Sequence, residues 1–274
     1  MEKLILLTGA AGGIGSHLVR ELTGQHHRLV ATDYSLGVLE EVAREQRWPP
    51  SVILRELDVR DEAGWQTLFE QVETEFGRVD ILMNVAGVLK PGTFIHEETE
   101  SYERHFDVNV RGVFLGTREA GRRMVARGQG HIINIASLAG ITPVPGLAIY
   151  CASKHAVRGM TLAAAMELKP KGVAVSVVCP DAVDTAMFDV QIEFDEAALT
   201  FSSEPLTTEE VVRVVVDDVM VSRRLEAVVA KRETGRAITA KFASAFPEAA
   251  ARIEPFFRKK GLEALAKIRS RGRT

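Results

Sequence analysis

The feature that most constrains this chain is its alternation of short, uninterrupted apolar runs with longer helical stretches. Candidate strands occupy Lys3–Thr8, Arg28–Asp33, Val52–Leu57, Val79–Met83, His131–Ala136, Val173–Cys179 and Glu226–Ala230. Most carry Val, Ile or Leu at consecutive positions, as a strand buried on both faces requires. Between them lie the helical patterns Gly13–Leu22, Leu36–Gln46, Glu62–Phe76, Gly112–Arg127 and Ile149–Leu168. Strand–helix alternation at this spacing predicts right-handed βαβ crossovers. The expected fold is α/β, a doubly wound parallel sheet of about seven strands with helices on both faces.

Composition narrows the setting. A formal net charge of −3 gives no reason to expect a nucleic-acid partner. The chain enters an apolar strand almost at once, without a basic segment leading into an apolar one, so no secretory signal is expected. No apolar run approaches the ~20 residues that cross a bilayer. Cys151 and Cys179, the two cysteines, stand among small or apolar residues, which predicts no disulfide framework and a reducing, cytoplasmic location.

Two segments break the rhythm. Residues 184–204 mix Met187, Phe188, Val190, Ile192, Phe194, Leu199 and Phe201 with acids, and their place after the sixth strand predicts a lid over a substrate. Residues 233–274 form a second irregular region, so the chain divides into a catalytic domain, 1–232, and a basic C-terminal extension. Residues 251–274 carry eight Lys or Arg against Glu254 and Glu263. Phe256, Phe257, Leu262, Leu265 and Ile268 lie among these bases, and Gly261 is expected to interrupt the stretch. Such a segment suits an anionic membrane surface, but packing onto the parent domain or a sister subunit is the preferred expectation.

The first strand runs into Thr8-Gly9-Ala10-Ala11-Gly12-Gly13-Ile14-Gly15, and a helix follows. Glycines let the backbone turn tightly and approach a pyrophosphate, while the helix N-terminus offers free N–H groups and a positive dipole end. A glycine-rich turn alone is a weak signal, since roughly one in three isolated matches is an ordinary tight βα turn. Here the strand before it and the helix after it both fit. Asp33 ends the second strand, placed to accept hydrogen bonds from the adenosine ribose and to repel a 2′-phosphate. Neither Gly12 nor Tyr34 offers a base to neutralise that phosphate. NAD is therefore expected over NADP.

Tyr150 and Lys154 are four apart in a helical stretch, hence on one face. A free tyrosine has a pKa near ~10, too high for a base at neutral pH, and a neighbouring ammonium favours the phenolate. Ser137 follows the strand His131–Ala136, at the edge that faces the ligand crevice in an open α/β sheet. Seven histidines are present, but no pair has metal-ligand spacing, and no metal is expected.

With these residues in place the chain resembles the short-chain dehydrogenase/reductase family in its single-domain, Rossmann-fold form, over residues 1–230. Thr8–Gly15 matches its T-G-x-x-x-G-x-G loop, and Asp58-Val59 resembles its adenine-contacting pair. Asn84-Val85-Ala86-Gly87 is similar to its N-N-A-G segment. Asn109, Ser137, Tyr150 and Lys154 match its catalytic set, and Pro180 through Thr185 its P-G-x-V-x-T stretch. The resemblance implies that Tyr150 is the general acid or base and that Lys154 lowers its pKa and binds the nicotinamide ribose. It further implies that Ser137 orients the substrate oxygen, that Asn109 positions a relay water, and that Val183 and Thr185 anchor the carboxamide. Hydride transfer between NAD and a small alcohol or ketone in a homodimer or homotetramer is the function so implied.

Two departures stand out. Val85 replaces the second Asn of the N-N-A-G segment, which loses a side-chain stitch. Asp181 replaces the glycine after Pro180, and a carboxylate near the nicotinamide would favour the cationic, oxidised ring. The apolar lid, with Leu89, Phe94, Val144 and Leu147, predicts a lipophilic substrate. A non-catalytic NAD-binding sensor or scaffold is disfavoured by the complete Asn109/Ser137/Tyr150/Lys154 set. An epimerase or dehydratase is disfavoured by chain length and loop spacing.

Overall fold

A computed structural model describes residues 2–231 and 235–272. Seven strands form one parallel sheet: β1 Leu4–Thr8, β2 Arg28–Asp33, β3 Ile53–Glu56, β4 Ile81–Asn84, β5 Gly130–Ile135, β6 Val173–Pro180 and β7 Glu226–Val229. Their order across the sheet is β3-β2-β1-β4-β5-β6-β7. The chain therefore reverses its winding between β1 and β4, and the carboxyl ends of those strands open a crevice. Leu4 through Leu7 and all of β4 and β5 are buried, which is why these strands are rich in Leu and Ile.

Helices α1 Gly13–Gly24, α2 Leu36–Glu45, α3 Glu62–Phe76, α4 Thr99–His105, α5 Gly112–Ala126 and α6 Ala148–Leu168 cover the two faces. One face buries Leu18, Val19 and Leu39 against β1 and β2, and the other buries Trp65, Leu68 and Phe69. Polar residues sit inside as well. Asn84 donates to Asn134 at 2.8 Å, and Asn134 donates to Thr161 at 3.0 Å and Thr117 at 3.2 Å, stitching β4 and β5 to α5 and α6. These bonds satisfy groups that would otherwise destabilise the core.

Past β6 come short helices α7 Ala186–Asp189, α8 Thr208–Arg213 and α9 Met220–Ser222, then α10 Arg236–Ala245 and α11 Pro247–Ser270. The boundary expected at residues 232 and 233 lies outside the described residues, as does Arg273. Gly261 does not interrupt the extension, since α11 runs through it. A Cβ there would sit 1.8 Å from the carbonyl oxygen of Ala198, so this glycine lets the helix press onto the 3-10 segment Asp195–Ser202. Leu265 is fully buried there beside Phe188, Ile192, Ala198 and Phe201. Arg269 donates to Ile192 O and Asp195 Oδ1, each at 2.8 Å. Among the described residues no helix is long and apolar enough to cross a membrane.

Candidate active site

The glycine loop leaves the end of β1 and enters α1 with little room for side chains. Gly9 has φ +68°, and a Cβ there would lie 2.7 Å from the Ala86 backbone. At Gly15 it would lie 2.0 Å from Gly9 O, and at Gly13 2.5 Å from Thr185 Cγ2. Gly12, at the N-cap of α1, makes no side-chain cap, and the first turn holds no acid. Its amides and dipole are thus left for an external anion, as a dinucleotide pyrophosphate requires. Asp33 accepts from Ala11 N at 2.9 Å through one oxygen and from Tyr34 N at 2.8 Å through the other, which holds the loop to the end of β2.

Other expected cofactor residues are placed differently from one another. The Asp58 carboxylate is clasped by Arg60 at 2.7 and 2.9 Å, and that pairing holds its pKa below the usual carboxylate range. Val59 is buried, with its carbonyl accepting from Trp65 Nε1 at 2.9 Å. The Asn84 side chain points into the polar stitch and is not brought to the cavity. Ala86 N donates to Thr8 Oγ1 at 3.3 Å. A Cβ on Gly87 would meet Asn109 Oδ1 and Lys154 Nζ, both at 3.3 Å, so this glycine lies against those two side chains. Ile14, Gly87, Pro180, Val183 and Thr185 line one continuous cavity of about 810 Å³ with Ser137, Tyr150 and Lys154.

Ser137 follows β5 and caps a 3-10 turn, Leu138–Gly140, accepting from Ala139 N at 3.1 Å. Its hydroxyl donates to Pro180 O at 3.4 Å and stands beside the Tyr150 phenol, whose pKa it pulls down. Tyr150 lies in the first turn of α6, and Lys154 sits one turn on, with Nζ 5.7 Å from the phenol ring centre. Lys154 Nζ donates to Ile135 O at 3.1 Å. Burial pushes the Tyr150 pKa up to about 12 against the pull of Ser137, and pushes Lys154 down to about 8. In this environment burial is the dominant influence on both groups.

Asn109 occupies a π-helical segment, Phe106–Arg111, between α4 and α5. Such widened turns recur at functional sites. Its amide accepts from Val88 N at 2.8 Å and donates to Val88 O at 2.9 Å and Ser153 Oγ at 3.0 Å. Ser153 in turn donates to Tyr150 O at 2.7 Å. Ser153 was not foreseen, although its position three after Tyr150 on a helix was the available signal. His105 was also missed. Its ring centre lies 6.3 Å from that of Tyr150, and Nε2 accepts from Lys90 N at 3.1 Å. The imidazole is thus neutral, its pKa lowered by burial.

The far wall holds the larger surprises. Leu89, Val144 and Leu147 line the cavity as expected, with Met187, Phe188 and Leu199 from the lid. Phe94 does not, being 67% exposed on a 3-10 turn. Asp181 is no lone carboxylate. Arg236 of α10 pairs with it at 2.5 Å through Nε and 3.0 Å through Nη2, and reaches Ser202 Oγ at 2.7 Å. The extension supplies further wall residues, among them Ala240, Ala243, Ile253, Phe257 and Arg258. The spacing of Leu262, Leu265 and Ile268 signalled packing, but not the element they pack against. Among the described residues no cluster suits a metal ion.

Comparison with known proteins identifies the family. The short chain dehydrogenase family model matches residues 3–195. A 3-alpha-(or 20-beta)-hydroxysteroid dehydrogenase of Mycobacterium tuberculosis is 34% identical over 221 residues, covering 79% of this chain and 83% of that protein. A 2,5-dichloro-2,5-cyclohexadiene-1,4-diol dehydrogenase of Sphingobium indicum is 35% identical over 184 residues, 67% of this chain and 74% of that one. Levodione reductase has a similar structure, with a TM-score of 0.76 at 25% identity, covering 85% of this chain and 98% of its own. The 3-ketoacyl-(acyl-carrier-protein) reductase from Brucella melitensis, solved with NADH, gives 0.72 at 29% identity, covering 83% and 96%. With the glycine loop at the β1 edge and the Ser137–Tyr150–Lys154 corner facing it, this chain belongs to the short-chain dehydrogenase family and is a nicotinamide-dependent oxidoreductase.

Proposed function

We propose that the chain moves a hydride between NAD and the carbinol or carbonyl carbon of a lipophilic secondary alcohol or ketone. The observation that carries this reading is the Tyr150 phenol, sharing with Ser137 the wall of a largely apolar cavity, one helical turn from a buried Lys154. In oxidation, the alcohol proton passes to Tyr150 while Ser137 holds the same oxygen by a hydrogen bond. In reduction, Tyr150 returns the proton to the carbonyl oxygen. When bound, nicotinamide supplies the hydride chemistry and, oxidised, a positive charge. Lys154, as an ammonium one helical turn away, would favour the phenolate that burial opposes. Lys154 also binds the ribose, and Asn109, fixed to Val88 and Ser153, shapes the relay behind it.

Gly9, Gly12, Gly13, Ile14 and Gly15 would hold the pyrophosphate, and Asp33 the adenosine ribose. Asp58 and Val59 would lie at the adenine, Asn84, Ala86 and Gly87 along the cofactor's inner side, and Pro180, Val183 and Thr185 at the carboxamide. Asp33 pairs in register with Glu56 on β3. Two carboxylates at that sheet edge disfavour a 2′-phosphate, which supports NAD over NADP. Residues 1–232 are read as the catalytic unit and 233–274 as an extension that walls the cavity. Exposed Phe114 and Met166 on α5 and α6 support a homodimer or homotetramer built on those helices. Two free, buried cysteines support a reducing, cytoplasmic setting.

The test is a screen of NAD(H) and NADP(H) against alcohols and ketones, including steroids and long-chain compounds. NAD-dependent turnover of apolar substrates is expected. Turnover with NADP alone would overturn the cofactor assignment, and absence of turnover with either cofactor would overturn the function.

A further inference from the structure

The molecule is electrically two-ended. Residues 1–234 hold twenty-four Lys or Arg against thirty-four Asp or Glu, whereas residues 235–274 hold ten against three. One side of the extension is spent on the protein, through Gly261, Leu265 and Arg269. Another side faces water and is apolar. On α10, Ile238, Phe242 and Phe246 recur every four residues and are 78, 46 and 56% exposed. On α11, Phe256 is 70% exposed, and Arg252, Arg258, Lys259 and Lys260 stand exposed around it. Among the described residues none of these four bases makes an ion pair with a carboxylate.

This surface is continuous with the substrate cavity. Ile253 is exposed and also lines the cavity, as does Arg258. The exposed Phe256 ring packs at 5.4 Å on Phe257, another cavity residue. The cavity therefore opens beside exposed Ile253 and Arg258, with half-buried Glu254 also in its wall.

We propose that α10 and the first half of α11 dock on an anionic membrane surface and set the cavity rim against the lipid, so that an apolar substrate enters without crossing water. Exposed aromatic and aliphatic side chains interleaved with Lys and Arg match an interfacial helix, whose long bases keep their charges at the headgroups. A second copy of this chain, with its acidic body, would satisfy the charges but would cover the rim through which substrate passes. Membrane docking rests on the proposed function only for its purpose, because binding is measured without turnover.

The experiment is co-sedimentation of the full chain with vesicles of phosphatidylcholine alone or with added phosphatidylglycerol, at low and high salt. Binding is expected with phosphatidylglycerol, weakening with salt. An interfacial Lys is worth about fivefold in partitioning, so Lys259→Glu with Lys260→Glu should cut binding by about tenfold or more. Phe242→Ser with Phe256→Ser should also cut binding to the phosphatidylglycerol vesicles, while turnover of a water-soluble alcohol stays unchanged. Equal pelleting of all proteins with both vesicles, or none, would overturn the proposal. So would a dimer in analytical ultracentrifugation that the same variants dissolve while vesicle binding is absent, which would assign the face to a second copy. A catalytically silent protein that still binds as expected would sink only the hydride reading.

Discussion

The two ends of the cleft are built by different means. At the cofactor end, one stretch of eight residues contains its own logic. Gly9, Gly13 and Gly15 are required because backbone or side chain already fills the space a Cβ would take. At the substrate end, no stretch suffices. The wall is assembled from the turn after β5, the lid and the extension, and it closes through Gly261 on Ala198 and Arg236 on Asp181. The contrast teaches that a site defined by backbone approach is carried locally, and one defined by packing is spread along the chain. Cofactor binding and substrate recognition should accordingly fail separately.

The sharpest break is Gly15→Ala. Its Cβ would lie 2.0 Å from Gly9 O with only backbone to yield. A loss of about 3 kcal/mol or more is expected, together with the loss of NADH binding by fluorescence titration. Leu265→Ala is the matching cut at the other end. Its fully buried side chain should cost about 2–5 kcal/mol in denaturant melts. Substrate KM should rise, yet NADH affinity should stay within about twofold, because no residue of the glycine loop belongs to the cluster around Leu265. If both variants lose NADH binding equally, the proposed independence of the two ends is wrong.

That difference also explains what was legible beforehand. The seven strands, the glycine loop and the Ser137/Tyr150/Lys154 set could be read because their spacing follows strand and helix periods. The π-helical widening at Asn109 could not, since no residue type marks it. Gly261 was misread as a helix breaker because its reason lies sixty-three residues away, at Ala198. Phe94 was misplaced because an apolar side chain near a site says nothing about which way its turn faces. Asp181 was read as a free carboxylate because its partner belongs to an element of unforeseen position.

Arg236→Ala sharpens the comparison at the joint between the ends. It leaves the Asp181 carboxylate largely buried without its cation, a loss of about 3 kcal/mol in stability. KM for substrate should rise while kcat changes little. An unchanged KM would show that the extension does not shape the pocket.

The smallest expected effect lies away from both ends. His131 is buried on β5 beside Ser176 Oγ at 2.8 Å, and burial lowers its pKa to about 4. The unfolded chain takes up this proton near pH 6.5, whereas the folded one resists until about 4. Stability is therefore lost as pH falls through that window, by up to about 3 kcal/mol. His131→Gln should flatten that slope in melts from pH 7 to 4 and leave turnover at neutral pH intact. An unchanged slope would assign acid sensitivity to other groups.

The central claim is that the Tyr150 phenol carries the proton while the rest of the cleft only positions and binds. Tyr150→Phe removes one oxygen from a buried ring and leaves the glycine loop untouched. Turnover and NADH affinity measured on the same preparation should separate, with kcat falling by about a thousandfold and NADH binding unchanged. A variant that keeps its kcat, or that loses turnover and NADH binding together, would contradict this assignment.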